Sequence, residues 1–283
     1  MSGTCLVLEG GAMRGNFTAG ILDYLMYHHM PLADCVIGVS AGTLAGVNYV
    51  SDQPGRGVRV NATFAHDRRF LSMGSYLFTG NALGKNFLFD KIQHELDPFD
   101  FETFRSSPCE FYAVATNLDT GKAEYLKVED ADRDSDLIRA SCSMPLVSTP
   151  VEYEGMKLLD GGTADSIPVR WAIDQGFDKI VVVLTRDRSF RREPEKALSL
   201  MRSHYATYPN YVFACEQRHN VYNTSRRKCF KLQQEGRVFV FMPSKPPTIK
   251  QMEHNSKAIV EIYNEGLQVA RDNFDGLRAY LGF

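Results

Sequence analysis

A serine between two glycines, at the start of a small-residue helix, is the first candidate for chemistry. Gly38 and Gly42 flank Ser40 where an apolar run, residues 35–39, turns into a helix-like stretch that continues to residue 50. A sharp strand-to-helix turn exposes the serine hydroxyl at the sheet edge, and the glycines relieve the crowding of that turn. The pattern favours a nucleophilic Ser40, although a glycine-rich turn with an incidental serine has the same letters.

A second glycine pair could hold an oxyanion. Gly10 and Gly11 follow the first apolar run of the chain and lead into Ala12 and Arg14. Consecutive glycines let backbone N–H groups approach and stabilise developing negative charge. Arg14 could order this loop or the leaving group, or could be a structural ion-pair partner. A dinucleotide-binding loop is the weaker interpretation, because Ala12 replaces its second glycine and Asp34 precedes the next strand instead of ending it.

The third motif is an aspartate at a strand end, Asp160, followed by Gly161 and Gly162. At such a turn the carboxylate is exposed and could accept a proton from a hydroxyl within hydrogen-bonding reach. Because Asp-Gly is also a common turn dipeptide, this motif has weight only together with the other two.

These loops need strands that bring them to one place. The first 50 residues read as strand, glycine loop, helix, strand, tight turn and helix. A right-handed β-α-β connection makes the two strands parallel, with both loops at the same sheet edge. Hairpins are expected at residues 111–128 and 151–159, and the continuously apolar run at residues 180–185 is typical of a central parallel strand.

The composition is that of an ordinary globular protein, with 283 residues, 44% apolar, 23% charged and a net charge of -2. Nothing indicates the clustered basic surface of a nucleic-acid-binding protein. Neither a signal peptide nor a membrane-spanning run is evident, so we expect a cytoplasmic protein that could contact a membrane surface peripherally. The six cysteines include no C-x-x-C pair, and we expect all of them to be reduced.

Together, and in this order, the three motifs resemble the patatin-like phospholipases, closest to the bacterial stand-alone members. The stretch from Ala140-Ser141 through Met144-Pro145 to Pro150-Val151 fits the same family. The resemblance covers residues 5 to about 185. It implies an α/β fold, a three-layer α/β/α sandwich with a mostly parallel central sheet, over residues 1–190. A mainly helical C-terminal extension, residues 191–283, is expected to pack on that domain.

The resemblance also implies a chemistry, namely cleavage of carboxylic esters of glycero(phospho)lipids through an acyl-enzyme, without metal or cofactor. Ser40 would be the nucleophile and Asp160 its base. The amides of Gly10, Gly11 and Ala12 would hold the oxyanion. In the same comparison Arg14 supports that loop, while the turns depend on Gly38, Gly42, Gly161 and Gly162. A lipid or ester substrate is therefore the expected partner.

One departure from the family pattern concerns Ala12, because many members have a third consecutive glycine there. Alanine keeps the backbone N–H, so an oxyanion site is still expected. If the position needs a positive φ, however, alanine adds strain.

Other functions stay open. A Ser-His-Asp hydrolase also uses this pentapeptide, and His204, His219 and His254 follow Asp160. That fold needs several strands before its nucleophile, whereas Ser40 follows only the second. A lipid-binding protein without catalysis is a further alternative, as is acyl transfer to an alcohol instead of water.

Three other segments carry weaker signals. The aromatic-rich residues 70–104 could line an acyl pocket or contact a membrane, or could be ordinary core; their leucines are Leu71, Leu77, Leu83 and Leu88. A basic connector could meet anionic headgroups or simply face solvent; it contains Arg186, Arg188, Arg191 and Arg192. Thr248 with Gln251 resembles a capping box and predicts the start of a long final helix.

Overall fold

Eight strands form one mixed sheet in a computed structural model that describes residues 3–72, 75–76 and 80–283. Leu77 lies outside the described residues. The strands are β1 Thr4–Leu8, β2 Cys35–Val39, β3 Glu110–Asn117, β4 Ala123–Lys127, β5 Val151–Tyr153, β6 Met156–Asp160, β7 Lys179–Val183 and β8 Val238–Phe241. Their order is β5-β6-β3-β2-β1-β7-β8, and β4 pairs with β3. The five strands from β3 to β8 in this order are parallel to one another, and the hairpin strands are antiparallel.

Helices cover both faces of this sheet. They are α1 Gly15–Tyr27, α2 Ala41–Val50, α3 Arg56–Phe64, a π-helix at Phe87–Leu96, α4 Phe101–Ser106, α5 Ser135–Ser141, α6 Val169–Asp174, α7 Leu198–His204, α8 Pro209–Gln234 and α9 Ser256–Leu281. A single 3-10 turn, Ala12–Arg14, precedes α1. Among the described residues, no helix combines the length and the apolar character needed to cross a bilayer.

The side chains of β1 show how the layers are built. Leu6 and Leu8 point into a core that includes Phe17 of α1 and residues of α2 and α9. Their neighbours Cys5 and Val7 point into a second core that includes Tyr222 of α8 and residues of α6. Successive residues of a strand face opposite sides of the sheet, so a fully apolar strand needs helices on both. The predicted α/β/α architecture with a mostly parallel sheet is confirmed, as is the helical character of the C-terminal region.

One edge of β3 is shared by two strands, and this sharing positions the site. Val39 of β2 pairs with Val114, while Asp160 of β6 pairs with the next residue, Ala115. Because β4 occupies the other edge of β3 along residues 112–116, β2 and β6 follow each other on the same edge. Their carboxyl ends therefore meet head to head.

The C-terminal region joins the sheet as well as covering it. Strand β8 pairs in parallel with β7 from Ile180 to Val183. Helix α9 packs on α1 so closely that a Cβ on Gly20 or on Gly266 would lie 2.2 Å from a backbone oxygen of the other helix. Glycine permits this approach because it has no side chain. The division of the chain at residue 190 stays a prediction.

The predicted start of the final helix at Thr248 is wrong, because α9 begins at Ser256 after the N-cap Asn255. The Asn255 side chain accepts a hydrogen bond from Lys257 N (3.0 Å). Before it, the Glu253 carboxylate accepts hydrogen bonds from backbone N–H groups of its own turn. Gln251 O meanwhile accepts a bond from Met13 N (3.4 Å), so this segment packs beside the glycine loop instead of forming helix.

The glycine contact between α1 and α9 predicts opposite effects for two alanine substitutions in one helix. A Cβ on Gly266 would lie 2.2 Å from Phe17 O, whereas one on exposed Gly276 would lie 3.7 Å from the Phe239 ring. Gly266→Ala should lower the free energy of unfolding by about 1–3 kcal/mol. Gly276→Ala should raise it by up to about 1 kcal/mol through helix propensity. Urea unfolding measures both, and equal stability of the two variants would contradict the described packing.

Candidate active site

Ser40 occupies a strained turn between β2 and α2. Its backbone has φ 54° and ψ -120°, a conformation that non-glycine residues adopt at a cost of about 1–3 kcal/mol. The turn is tight on both sides, because a Cβ on Gly38 would lie 2.6 Å from Thr43 N and one on Gly42 would lie 2.4 Å from Leu8 O. The serine is only partly buried, so its hydroxyl is accessible at the carboxyl edge of the sheet.

The C-terminal end of α5 holds Ser40 in this conformation. Ser40 N donates to Ser141 Oγ (2.9 Å), and Ser141 Oγ lies 2.9 Å from Thr43 Oγ1. The Cys142 thiol donates to Ser40 O (3.3 Å). Burial raises the pKa of this thiol well above its ordinary value, so it stays neutral. Sequence reasoning did not assign a role to Ser141, although the residue lies within the stretch that resembles the family.

The Asp160 carboxyl lies against Ser40. It is 6% exposed, and it accepts a hydrogen bond from Gly162 N (2.7 Å). Burial raises the pKa of this carboxyl above its usual value, while the nearby Ser40 hydroxyl, the bond from Gly162 and the charges of Arg218 and Arg192 oppose the rise. The following Gly161 leaves no room for a side chain, since a Cβ would lie 2.2 Å from Val114 O.

The three candidate histidines lie elsewhere. His254 Nδ1 is 2.7 Å from Ala65 O, and His204 is an exposed residue at the end of α7. His219 lies within α8 with a buried Nδ1 that has no hydrogen-bond partner. In the part of the chain that the structure describes, no histidine hydrogen-bonds Ser40 or Asp160.

The glycine loop lies beside Ser40, since a Cβ on Gly10 would be 3.2 Å from Ser40 Cβ. The N–H groups of Gly10, Gly11 and Ala12 donate to no described residue, so they are free for an external acceptor. Ala12 has φ 48°, the positive value that would strain an alanine. The Thr185 hydroxyl donates to Gly10 O (2.9 Å) and fixes that peptide group.

A buried glutamate anchors the same loop to the other side of the protein. Glu9 is 2% exposed. Its carboxylate accepts hydrogen bonds from Thr185 N (2.6 Å) and from the hydroxyl of Tyr222 (2.6 Å), which comes from α8. A charged acceptor strengthens a hydrogen bond, so the two bonds to the Glu9 carboxylate support the loop firmly. Glu9 directly precedes Gly10 in the sequence, but nothing in the sequence connects it with Tyr222.

Helix α8 also reaches the aspartate turn. Arg218 Nε donates to Gly162 O (2.7 Å), and its Nη1 lies 3.6 Å from a carboxylate oxygen of Glu195. A Cβ placed on Gly162 would be 2.9 Å from Asp160 Oδ1 and 3.3 Å from Arg218 Nη2, so these groups border one small space. Sequence reasoning missed Arg218, because no motif marks it.

Arg14 is buried, with 4% exposure, and forms no ion pair with a described residue. Its Nε has no hydrogen-bond partner. Burial and the nearby charge of Arg186 lower the pKa of this guanidinium to about 10, so it is still a cation at neutral pH. The sequence left open a structural ion pair for Arg14, and no such pair is present among the described residues.

An apolar recess of about 920 Å³, counting the space at its mouth that is open to solvent, adjoins Ser40. Residues of α1, α2 and α3 form one side. The aromatic-rich segment forms the other with Phe70, Leu71, Leu83 and Leu88. Ser40 and Ala12 are part of the wall, so an apolar chain in the recess would end next to the Ser40 hydroxyl.

Two relatives and one solved structure are similar to this chain. The uncharacterized protein YjjU of Escherichia coli is 32% identical over 184 residues, which are 64% of this chain and 51% of YjjU. Lysophospholipase nte1 of Aspergillus niger is 30% identical over 184 residues, 63% of this chain and 11% of that protein. The chain thus spans about half of the first relative and a small part of the second. VipD from Legionella pneumophila has a TM-score of 0.41 at 12% identity, covering 95% of this chain and 67% of VipD.

Two regions of the chain match two different protein families. A domain of unknown function (DUF6363) matches residues 208–282, the region of α8 and α9. The description "Patatin-like phospholipase" matches residues 6–173, which are more than half of the chain and include Ser40, Asp160 and the glycine loop. The chain therefore belongs to the patatin-like phospholipase family, as its sequence predicted.

Proposed function

We propose that this chain is a serine acyl hydrolase that cleaves carboxylic esters of glycero(phospho)lipids, with Ser40 as nucleophile and Asp160 as base. The observation that carries the proposal is the meeting of β2 and β6 on one edge of β3, which brings the Ser40 turn and the buried Asp160 carboxyl together beside an apolar recess. The family membership and the name of the Aspergillus relative support a lipid ester as substrate.

In the first step, Ser40 Oγ attacks the ester carbonyl while Asp160 accepts the hydroxyl proton. Negative charge develops on the carbonyl oxygen, and the free N–H groups of Gly10, Gly11 and Ala12 are placed to receive it. The intermediate collapses when the alcohol leaves with the proton held by Asp160. The acyl group is then bound to Ser40.

In the second step, Asp160 takes a proton from water, which attacks the acyl-enzyme and releases the acid. Ser40 recovers its proton from Asp160. A carboxylate is a weak base for a hydroxyl, so both steps need a dry, fixed arrangement. The burial of Asp160 and the hydrogen bond from Gly162 support such an arrangement.

Removing either member of the pair should stop the reaction. Ser40→Ala should lose fluorophosphonate labelling and turnover of a short-chain p-nitrophenyl ester. Asp160→Asn should lower kcat by about 10²–10⁴-fold, because proton transfer contributes that much. Asp165→Asn is the matched control, since that carboxylate accepts a bond from the Tyr125 hydroxyl and should leave turnover unchanged. Circular dichroism establishes that each variant folds.

Two outcomes of the same assay would contradict the proposed pair. An active Asp160→Asn variant, with activity lost on replacing His204, His219 or His254, would favour the histidine triad. A wild-type protein that neither labels nor turns over would favour a lipid-binding protein.

The pH dependence of kcat/KM should reflect the raised pKa of a buried base. Asp160 must be ionised, and burial raises its pKa, so kcat/KM should fall on acidification at a pH above the ordinary aspartate range. Arg218→Gln removes a cation that lowers this pKa and should therefore move the acidic limb to higher pH. Arg202→Gln removes a more exposed arginine paired with Glu216 and should not move it. Identical limbs in all three proteins would exclude Asp160 as the titrating group.

Filling the apolar recess should select against long acyl chains. Leu83→Trp should lower kcat/KM for a long-chain p-nitrophenyl ester about tenfold relative to a short-chain ester. Leu96→Trp, at an exposed position within the same segment but outside the lining of the recess, should leave the ratio unchanged. Equal chain-length profiles for Leu83→Trp and wild type would show that acyl chains bind elsewhere.

A further inference from the structure

Cationic side chains gather around Tyr222, the residue of α8 whose hydroxyl bonds to Glu9 just before the glycine loop. The guanidinium of Arg192 lies 4.6 Å from the centre of the Tyr222 ring, and that of Arg186 lies 4.4 Å from the centre of the Phe190 ring. The two rings touch edge to face at 5.9 Å. Arg186 and Arg192 are thus held side by side on an aromatic platform formed by the basic connector and α8.

The buried guanidinium of Arg14 adds a third cation to this pair. A Cβ on Gly11 would lie 3.3 Å from Arg14 Cβ and 2.7 Å from Thr185 Oγ1, so Arg14 lies beside the residue that precedes Arg186. Besides burial, the charges of Arg186 and Arg192 accordingly lower the pKa of Arg14, while that of Glu9 raises it. Burial and the charges of Arg218 and Arg186 likewise lower the pKa of Arg192. We call Arg14, Arg186 and Arg192 the arginine cluster. Its members come from two separate parts of the fold: the turn before α1 and the basic connector between β7 and α7.

The arginine cluster lacks protein acceptors. None of its guanidinium groups forms an ion pair or donates a hydrogen bond within the described ranges. The Nε atoms of Arg14 and Arg192 are buried without partners. Glu9 is a nearby carboxylate whose charge raises the pKa of Arg14 and Arg192, but it forms no ion pair with either described side chain, and it accepts hydrogen bonds from Tyr222 and Thr185. Buried donors without partners are costly, so the cluster is suited to an external anion.

The location relates the arginine cluster to the reaction. Arg14 belongs to the same turn as Ala12. Arg192 stacks on Tyr222, about one helical turn from Arg218, which bonds to Gly162 O in the turn after Asp160. None of the three arginines lines the apolar recess, so an ester at Ser40 whose acyl chain lies in the recess could present its alcohol portion to the arginine cluster.

We propose that the arginine cluster binds the phosphate of the leaving alcohol, so that the preferred substrate is an acylated glycerol phosphate. This inference rests on the hydrolase function proposed above. Arginine suits the role because its planar fork donates paired hydrogen bonds to phosphate oxygens, and stacking on Phe190 and Tyr222 holds the fork in place. Binding would orient the ester for attack by Ser40, and the products would be a fatty acid and glycerol phosphate.

The binding test uses the full chain with Ser40→Ala, so that it does not depend on turnover. Calorimetric titration with glycerol 3-phosphate should show saturable binding, and glycerol should show none. Arg186→Gln and Arg192→Gln should each weaken binding about tenfold or more. Arg188→Gln is the matched control, because this exposed arginine stacks on Phe230 (4.6 Å) in the same loop and should change nothing.

The kinetic test uses the active chain with two esters of one acyl chain, a monoacylglycerol 3-phosphate and the corresponding monoacylglycerol. Wild type should prefer the phosphate ester in kcat/KM. Arg186→Gln should reduce that preference about tenfold, and Arg188→Gln should preserve it. Glycerol 3-phosphate should inhibit hydrolysis of the phosphate ester competitively.

Three results would overturn the proposal. Absence of saturable glycerol 3-phosphate binding is the first, and equal weakening by Arg186→Gln and Arg188→Gln is the second. The third is a site for free phosphate alone, in which inorganic phosphate binds but Arg186→Gln leaves the ester preference unchanged. Loss of the hydrolase function itself would appear separately, as an inactive wild type on the monoacylglycerol.

Discussion

The shared edge of β3 is the constraint on which the rest of the site depends. Val114 pairs with the last residue of β2, and Ala115 pairs with the last residue of β6. Two strands of opposite direction therefore end against each other, and each is followed by a functional turn. A shift of one residue in either register would turn the strand's side chains to the other face of the sheet. The contact between Ser40 and Asp160 thus follows from hydrogen bonding in the sheet, not from local loop structure.

Burial changes the acid–base properties of the Asp160 carboxyl. A carboxylate removed from water has a raised pKa, which improves it as a base and destabilises its charged form. The opposing influences are the hydrogen bond from Gly162 within the same turn, the Ser40 hydroxyl and the charge of Arg218, and the last two come from distant parts of the chain. Arg218 belongs to α8, so the region matched by the domain of unknown function contributes directly to the electrostatics of the pair.

Helix α8 also supports the glycine loop, again through a side chain that is distant in the sequence. Tyr222 donates to Glu9, whose carboxylate also accepts from Thr185 N, and the Thr185 hydroxyl fixes Gly10 O. An oxyanion site depends on donors that are fixed before charge develops, because reorganisation during the reaction would cost free energy. The C-terminal region is therefore more than a cover for the sheet. It joins the sheet through β8, packs on α1 through α9, and reaches both functional turns through α8.

Elements that depend on short stretches of sequence could be predicted without the structure. Apolar runs and glycine turns predicted β1 and β2 with their loops, and motif order predicted the family and the α/β/α fold. Local signals failed at Thr248, where a helix cap was expected but Glu253 and Asn255 hold a turn. The contacts of Arg218 and Tyr222 with the aspartate turn and the glycine loop are visible only in the folded structure. The same is true of the arginines that lie together without protein acceptors. Those contacts join residues far apart in the chain, and neither periodicity nor turn chemistry encodes which distant side chains meet.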